Sequence, residues 1–303
     1  MASKWSRLGA DLAEALAEYA RRVDGVSAGT MPALIERVLA HRSPALAEQT
    51  RASYRTSANT LKRKLALFFP DQVKARHVAE IRDSMAAQPV SANKAVSFLS
   101  IVMSQAVDWQ MIDANPCVGV KKLKVLARDR YVSPTEYAAI YAQASDKLQT
   151  IMDLCYLTGQ RIGDVLRLRE SDISAEGLFF KAQKTKGSTQ VRFVLAWTDD
   201  LRAVVDRARS LQGKVRSLTL LHGRTNKPLL YRSVAQQWQE ACAAAGVEDA
   251  HLHDLRARSL TDTDAQGGDA QALGGHADKR MTERYLRLRR TPVVHGPKAS
   301  KAK

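Results

Sequence analysis

The strongest constraint on the fold is the spacing of apolar residues in the first 120 positions. Apolar residues recur at helical spacing in four segments, at 32–39, 46–69, 78–85 and 91–109. No part of this stretch alternates with a period of two, as a half-buried strand would. The sequence therefore predicts an all-helical domain at 31–120. A short amphipathic pattern predicts one more helix in an N-terminal extension at 1–30.

A different pattern begins after residue 121. Residues 121–132 are densely basic and lack an amphipathic period, which predicts a linker between domains. Ser133 and Glu136 then flank Pro134 in a sequence typical of a capping box, so a new helix is expected to begin there.

The second domain mixes helices with a small sheet. Residues 178–182 and 191–195 are short, β-prone and separated by turn-forming residues, which predicts an antiparallel hairpin. Helical patterns fill most of the remainder. We expect a mainly α domain with a small antiparallel β-sheet at 133–290, followed by a flexible basic tail at 291–303.

The charge balance narrows the classes of partner. The 303 residues include 47 Lys and Arg against 31 Asp and Glu, a formal net charge of +16. This excess favours nucleic acid or an anionic membrane surface as partner. The sequence has no apolar run of about 18 residues and begins without the apolar stretch of a signal peptide, which argues against membrane-spanning and secreted proteins. Three dispersed cysteines predict neither disulfides nor a zinc site, and they fit a reducing cytosol.

Six residues of the second domain are suited to phosphodiester chemistry. They are Arg161, Lys186, His253, Arg256, His276 and Tyr285. Each alone also has a structural interpretation: Arg161 could pair with Asp164 at the surface, His276 could be an ordinary loop residue and Tyr285 could simply pack. Their order and spacing carry more information than any single residue.

The set resembles the tyrosine recombinases, the phage integrase family. The segment Leu-Thr-Gly-Gln-Arg-Ile-Gly-Asp-Val at 157–165, the box His253-x-x-Arg256, Gly275-His276 and Tyr285 follow the family's order, with its usual His-to-Tyr interval. The resemblance spans roughly 31–290 and is strongest in the C-terminal half. One departure is the stretch 260–272, which is a few residues shorter than is usual.

The resemblance implies a fold and a role for each residue. The expected fold is a two-domain DNA clamp, with a SAM-like helical core-binding domain and a tyrosine-recombinase catalytic domain. Tyr285 corresponds to the nucleophile, and His253 is expected to act as its general base. The groups around the scissile phosphate correspond to Arg161, Arg256 and His276.

Two further residues are assigned in the same way. Asp164 matches the acidic position that braces Arg161. Lys186, in the hairpin loop, corresponds to the general acid that protonates the leaving oxygen, with Lys184 as the alternative. The basic segment 121–130 is expected to cross the DNA backbone, which would make binding strongly salt-dependent.

The chemistry of the set agrees with these roles. Two arginines and histidine donors stabilise charge on a phosphate without a metal. The sequence has no accompanying Asp or Glu cluster, which disfavours a two-metal nuclease, and we expect no cofactor. A tyrosine hydroxyl, with a reference pKa of about 10, needs a base to act as a nucleophile at neutral pH.

The implied function is site-specific recombination through a 3′-phosphotyrosyl intermediate, for integration and excision of a phage or other mobile element. The expected partners are double-stranded attachment or recombination sites, three further protomers in a tetramer, and an excisionase or host DNA-bending protein. We expect the protein to act on DNA in the bacterial cytoplasm and to have no membrane partner. Three alternatives stay open: Xer-like dimer resolution, type IB topoisomerase-like relaxation, and a noncatalytic architectural protein of the same fold.

Overall fold

The computed structural model describes residues 29–126, 128–181, 192–212, 217–223, 227–276 and 278–286. The chain divides into two compact units, Met1–Leu126 and Ala127–Lys303. This division falls inside the basic segment at 121–132. The helix predicted in the N-terminal extension, the hairpin loop with Lys184 and Lys186, and the basic tail lie outside the described residues.

The first unit is built from helices throughout its described residues. They are α1 (Met31–Arg42), α2 (Glu48–Lys64), α3 (Ala75–Asp83) and α4 (Pro89–Asp108), with single 3₁₀ turns at Ser43–Ala45 and Pro70–Gln72. Their apolar faces meet in one core that includes Ile35, Leu61 and Leu99, all fully buried. The helical spacing of the sequence is thus confirmed.

Helix α2 ends earlier than its apolar pattern predicts. The pattern extends to residue 69, whereas the last helical residue is Lys64. Leu65 leaves the helical conformation and is buried in the core, and the carbonyl of Phe68 accepts a hydrogen bond from the Met31 amide at 2.8 Å. Packing against α1 therefore ends the helix five residues before the pattern does.

The beginning of the basic segment is attached to the first unit. The side-chain amide of Asn93 donates to the Leu123 carbonyl at 2.8 Å and accepts from the Leu123 amide at 2.9 Å. Arg82 donates to the Lys121 carbonyl at 2.6 Å. The backbone of this stretch is therefore fixed on α3 and α4.

The second unit consists of helices around one hairpin in its described residues. The helices are α5 (Pro134–Gln143), α6 (Asp146–Thr158), α7 (Ile162–Val165), α8 (Asp199–Ser210), α9 (Tyr231–Ala244), α10 (Leu252–Ala265), α11 (Ala270–Gly274) and α12 (Lys279–Glu283). Strands β1 (Gly177–Lys181) and β2 (Arg192–Ala196) pair antiparallel, with Phe179 opposite Val194. Both strands lie within one residue of the predicted ones.

The predicted capping box at the start of α5 is confirmed. The Ser133 hydroxyl accepts from the Glu136 amide at 3.2 Å, and the Glu136 carboxylate accepts from the Ser133 amide at 2.9 Å. Helix α7 is short and ends at Val165. Beyond it, Arg169 forms a β-bridge with Thr219, and the Leu168 carbonyl accepts from Leu220, so the chain leaves the helix to pair with another segment.

Helices α6 and α10 share one core and position two segments of the second unit, the turn after α6 and α10 itself. This core includes Ile151, Trp238 and Leu255, each at most 1% exposed. Because α6 ends where α7 begins and α10 packs beside α6, the core fixes the segments that hold Arg161 and Arg256. No helix in the described ranges is long and apolar enough to span a membrane.

Candidate active site

The turn between α6 and α7 is shaped by Gly159. This residue has a left-handed backbone, φ +62°, and a Cβ atom here would lie 3.0 Å from Leu273 Cγ and 3.1 Å from Ser259 Oγ. Glycine is therefore required both for conformation and for space. The turn places Arg161 at the N-cap of α7.

Arg256 is the most deeply buried charge of the site, with 1% of its surface exposed. Its Nη1 donates to the Gly159 carbonyl at 2.6 Å, and its Nη2 donates to the Gly274 carbonyl at 2.8 Å. Burial lowers the pKa of the guanidinium, and the positive charge of Arg161 lowers it further, whereas Tyr285 opposes this change. A guanidinium stays protonated at neutral pH, so the site holds a buried positive charge.

His276 lies directly against Arg256. Its Nε2 is 2.6 Å from Arg256 Nη2, and its Nδ1 is 2.9 Å from Thr282 Oγ1. Burial, followed by the charges of Arg256 and Arg161, lowers the pKa of His276 to about 4. The imidazole is therefore neutral at pH 7.

The Tyr285 ring lies among these groups. It stacks on the His276 ring, with centroids 5.2 Å apart and planes 16° apart, and it meets the His253 ring edge-on at 5.4 Å. The Arg256 guanidinium lies 5.0 Å from its centroid, within cation–π range. The Tyr285 backbone is held through its amide by Thr282, at 2.7 Å, and through its carbonyl by Thr261, at 3.2 Å.

Four of the six predicted residues are thus linked by direct contacts centred on Tyr285, and a fifth acts through its charge. The contacting residues are His253, Arg256, His276 and Tyr285. Arg161 is close enough for its charge to lower the pKa of both Arg256 and His276. The sixth, Lys186, lies outside the described residues.

Asp164 differs from its expected role. It forms an ion pair with Arg167, N to O 2.7 Å, rather than with Arg161. Arg167 follows three residues later on the same turn, so its side chain reaches the carboxylate locally. Arg161 occupies the N-cap position of α7 without a side-chain capping bond, and it has no carboxylate within ion-pair distance among the described residues.

The arginines of the basic segment also differ from expectation. Arg128 binds Asp254, a residue 2% exposed, and also Asp249, with Nη1 to Oδ1 2.6 Å. Arg130 binds Glu136 at 2.5 Å. Since both charges are paired inside the second unit, we no longer expect these two arginines to act as free cations on a DNA backbone.

The opposite face of α10 is held by a second polar cluster. Asp262 accepts hydrogen bonds from the hydroxyls of Tyr131 at 2.6 Å and Tyr156 at 2.9 Å. The Arg258 guanidinium lies over the Tyr156 ring at 4.9 Å. Burial, together with the Asp262 bond, raises the pKa of Tyr131 to about 12. Arg256 therefore projects from a helix that is fixed on both faces.

Several residues of the site were not found from the sequence. The carbonyls of Gly159 and Gly274 accept hydrogen bonds from Arg256, but every residue type has a carbonyl, so the sequence does not identify them. Gln160, 4% exposed, donates to the Thr158 carbonyl at 3.0 Å and to the Leu273 carbonyl at 2.5 Å, so it links the α7 turn to α11. Thr282 could have been noticed from its place three residues before Tyr285. Among the described residues, no three His, Cys, Asp or Glu side chains are grouped as a metal site would require.

Comparison with known proteins gives consistent matches. The model of the phage integrase family matches residues 130–291, more than half of the chain. The integrase of Escherichia phage HK022 is 27% identical over 282 residues, which cover 87% of this chain and 77% of that protein. The integrase of Escherichia phage lambda is 24% identical over 264 residues, 82% of this chain and 73% of that protein.

A solved structure agrees in fold. A lambda integrase tetramer bound to a Holliday junction matches with a TM-score of 0.76 at 21% identity, over 95% of this chain and 91% of that chain. This likeness confirms the predicted mainly helical recombinase fold with its small sheet. The chain belongs to the phage integrase family, and it is a site-specific recombinase of the tyrosine type.

Proposed function

We propose that this recombinase cuts and rejoins DNA through a 3′-phosphotyrosyl bond to Tyr285. The observation that carries the proposal is an unsatisfied hydrogen-bond donor on Arg256, close to Tyr285. The Arg256 Nε is buried and has no hydrogen-bond partner among the described residues, while the guanidinium lies 5.0 Å from the Tyr285 ring. An unsatisfied buried donor costs about 1–3 kcal/mol, and a phosphate oxygen beside Tyr285 would satisfy it.

The proposed reaction follows from the groups around Tyr285. The Tyr285 hydroxyl oxygen attacks the phosphorus while its proton passes to His253, and the bond from phosphorus to the 5′ oxygen breaks. That oxygen takes a proton, which we assign to Lys186. Arg161, Arg256 and His276 stabilise the negative charge on the nonbridging oxygens. Attack by a 5′-hydroxyl from another strand reverses the step and completes strand exchange.

Integration and excision of a phage or related mobile element is the role we favour. Two of the relatives, from Escherichia phages HK022 and lambda, are named integrases. We propose double-stranded attachment sites as substrate and a tetramer as the working assembly, as in the lambda integrase complex with a Holliday junction. An excisionase or host DNA-bending protein would act as accessory partner in the bacterial cytoplasm.

The decisive test is the covalent bond. Wild-type protein and Tyr285→Phe are incubated with DNA of the source genome in EDTA, denatured, and the protein-linked DNA is isolated and sequenced. We expect adducts with wild type, none with Tyr285→Phe, and unchanged DNA affinity for both. Tyr231→Phe is the matched control, because Tyr231 is 55% exposed at the start of α9 and lies outside the cluster. It should form adducts as wild type does.

Other outcomes would assign a different function. If all three proteins bind DNA and none forms adducts, even with host extract added, the chain acts as an architectural protein. If adducts form on any supercoiled plasmid and the plasmid relaxes without strand exchange, the chain acts as a topoisomerase. Adducts that persist in Tyr285→Phe would assign the nucleophile to another residue.

A further inference from the structure

The hydroxyl of Thr282 contacts His276 on the side of the ring away from Arg256. Thr282 is 4% exposed, and its Oγ1 lies 2.9 Å from His276 Nδ1. The backbone carbonyl of the same residue accepts a hydrogen bond from the Tyr285 amide at 2.7 Å. One buried threonine therefore contacts both the imidazole and the segment that carries the nucleophile.

The proton on His276 is located by its neighbours. A guanidinium only donates, so Arg256 Nη2, at 2.6 Å, requires a lone pair on His276 Nε2. Since the ring is neutral, its one proton is on Nδ1 and is donated to Thr282 Oγ1. In the free protein His276 Nε2 thus accepts a hydrogen bond from Arg256.

A hydrogen bond from His276 to a phosphate requires the opposite tautomer of the imidazole. A phosphate oxygen accepts hydrogen bonds, so His276 stabilises it only with a proton on Nε2. If the ring remains neutral, Nδ1 then loses its proton and becomes a buried acceptor. Without a donor nearby this acceptor would be unsatisfied, which is costly in a buried site. A threonine hydroxyl can both accept and donate, so it can serve either tautomer.

We propose that Thr282 is a positioning residue whose hydroxyl reverses its hydrogen bond, so that His276 accepts from Arg256 in the free protein and donates to the scissile phosphate on DNA. The number of protons is unchanged: one leaves Nδ1, one is gained at Nε2, and the Thr282 hydroxyl proton turns towards Nδ1. The proposal rests on the phosphotyrosyl chemistry proposed above, because that chemistry places a phosphate beside His276.

The tautomers can be observed directly by ¹⁵N NMR of the histidine side chains. Wild type, Thr282→Val, Thr282→Ser and Thr263→Val are compared, first alone and then with inorganic phosphate as the probe. Thr263 is the matched control, because its hydroxyl binds the Ser259 carbonyl at 2.8 Å on α10. In wild type, Thr282→Ser and Thr263→Val we expect the proton on Nδ1 without phosphate and on Nε2 with it. Thr282→Val should fail to make this change.

Three NMR results would overturn the proposal. The first is a proton on Nε2 in the free wild-type protein. The second is a ring with no tautomer change, or with both nitrogens protonated, in phosphate. The third is a tautomer change in Thr282→Val equal to that of wild type. None of these NMR measurements requires catalytic activity. They therefore do not depend on knowing the DNA site that the protein cleaves.

The rate of single-turnover cleavage is a second, independent test of the proposal. It is measured on the DNA site that adduct sequencing identifies. Loss of one hydrogen bond should slow cleavage about tenfold in Thr282→Val without weakening DNA binding, while Thr282→Ser should remain within about threefold of wild type. Equal rates in wild type and Thr282→Val, or equal losses in both Thr282 variants, would contradict the proposal. A wild-type protein that forms no adduct would instead contradict the proposed function, and the NMR result would still decide the role of Thr282.

Discussion

His276 is a buried imidazole in contact with Arg256 and within reach of the charge of Arg161, and this position makes the protein sensitive to acid. Its pKa is about 4 in the folded protein, against an ordinary value of 6.5, because burial and the neighbouring charges disfavour the imidazolium. The unfolded chain therefore binds more protons between these two pH values. The contribution of His276 to stability is present in full above pH 6.5 and is lost as the pH falls towards 4.

We predict that His276→Gln makes the protein less sensitive to acid. From pH 7 to pH 4 the wild type should lose about 3 kcal/mol more of its free energy of unfolding than this variant, since each unit of pKa shift corresponds to about 1.4 kcal/mol. Urea unfolding at several pH values measures the difference. His41→Gln, at an exposed position of the first unit, should follow the wild type. Parallel pH curves for wild type and His276→Gln would contradict the prediction.

Side-chain chemistry explains which residues could be chosen from the sequence. Arg256, His276 and Tyr285 were recognisable because their order and spacing repeat a family pattern. The acceptors that orient Arg256 are carbonyls of Gly159 and Gly274, and any residue type has a carbonyl. Their role depends on a tertiary approach that no local pattern encodes. The sequence did not show that Arg167, on the same turn, would form the ion pair with Asp164 that was expected of Arg161.

At the scale of elements, the short turn between α6 and α7 sets the position of the cationic groups. Gly159 presents its carbonyl to Arg256 and closely approaches α10 and α11. Two penalties therefore apply to any side chain there: a left-handed backbone and contacts near 3.0 Å. Only the first penalty applies to Gly246, which has a similar φ of +66° and no atom within 4 Å of the position that a Cβ would occupy.

We predict that Gly159→Ala destabilises the protein more than Gly246→Ala. The left-handed conformation costs about 1–2 kcal/mol for alanine in either position, and the close contacts at Gly159 add about 1–3 kcal/mol. Urea unfolding of both variants, with wild type as reference, measures the two values. Equal losses would mean that Leu273 and Ser259 move aside without cost.

Element boundaries were less predictable than the elements themselves. The period of the apolar residues identified α2, α4 and both strands. The end of α2 depends on Leu65 packing into the core, and the end of α7 depends on pairing between the segments around Arg169 and Thr219. Both are tertiary interactions, so a local pattern could not locate them.

At the scale of the whole molecule, the +16 charge is not uniformly available to a partner. Lys121, Lys122 and Lys124 are exposed and have no ion-pair partner among the described residues. Arg128 and Arg130, a few positions later, are bound to carboxylates of the second unit. Net charge alone could not distinguish these two groups, because pairing is a property of the fold.

We predict that these groups contribute differently to DNA binding. Replacing Lys121, Lys122 and Lys124 together by Gln should flatten the plot of log affinity against log salt concentration by about 0.9 for each DNA phosphate that a lysine no longer neutralises. Arg128→Gln should leave this slope unchanged and lower the free energy of unfolding, because it leaves Asp254 buried without its partner. Binding to a duplex at several salt concentrations measures the slopes. An unchanged slope in the triple variant would remove these lysines from the DNA interface.

The contacts of Arg256 also bear on the synthesis of the protein. Gly159, Arg256 and the pair Gly274 and His276 come from three separate segments, and the Tyr285 ring completes the cluster close to the C-terminal end of the described chain. During translation Tyr285 is added after all of these groups. Under the proposed function, a chain that ends before Tyr285 lacks the proposed nucleophile, so it is expected to bind DNA without forming a covalent bond to it.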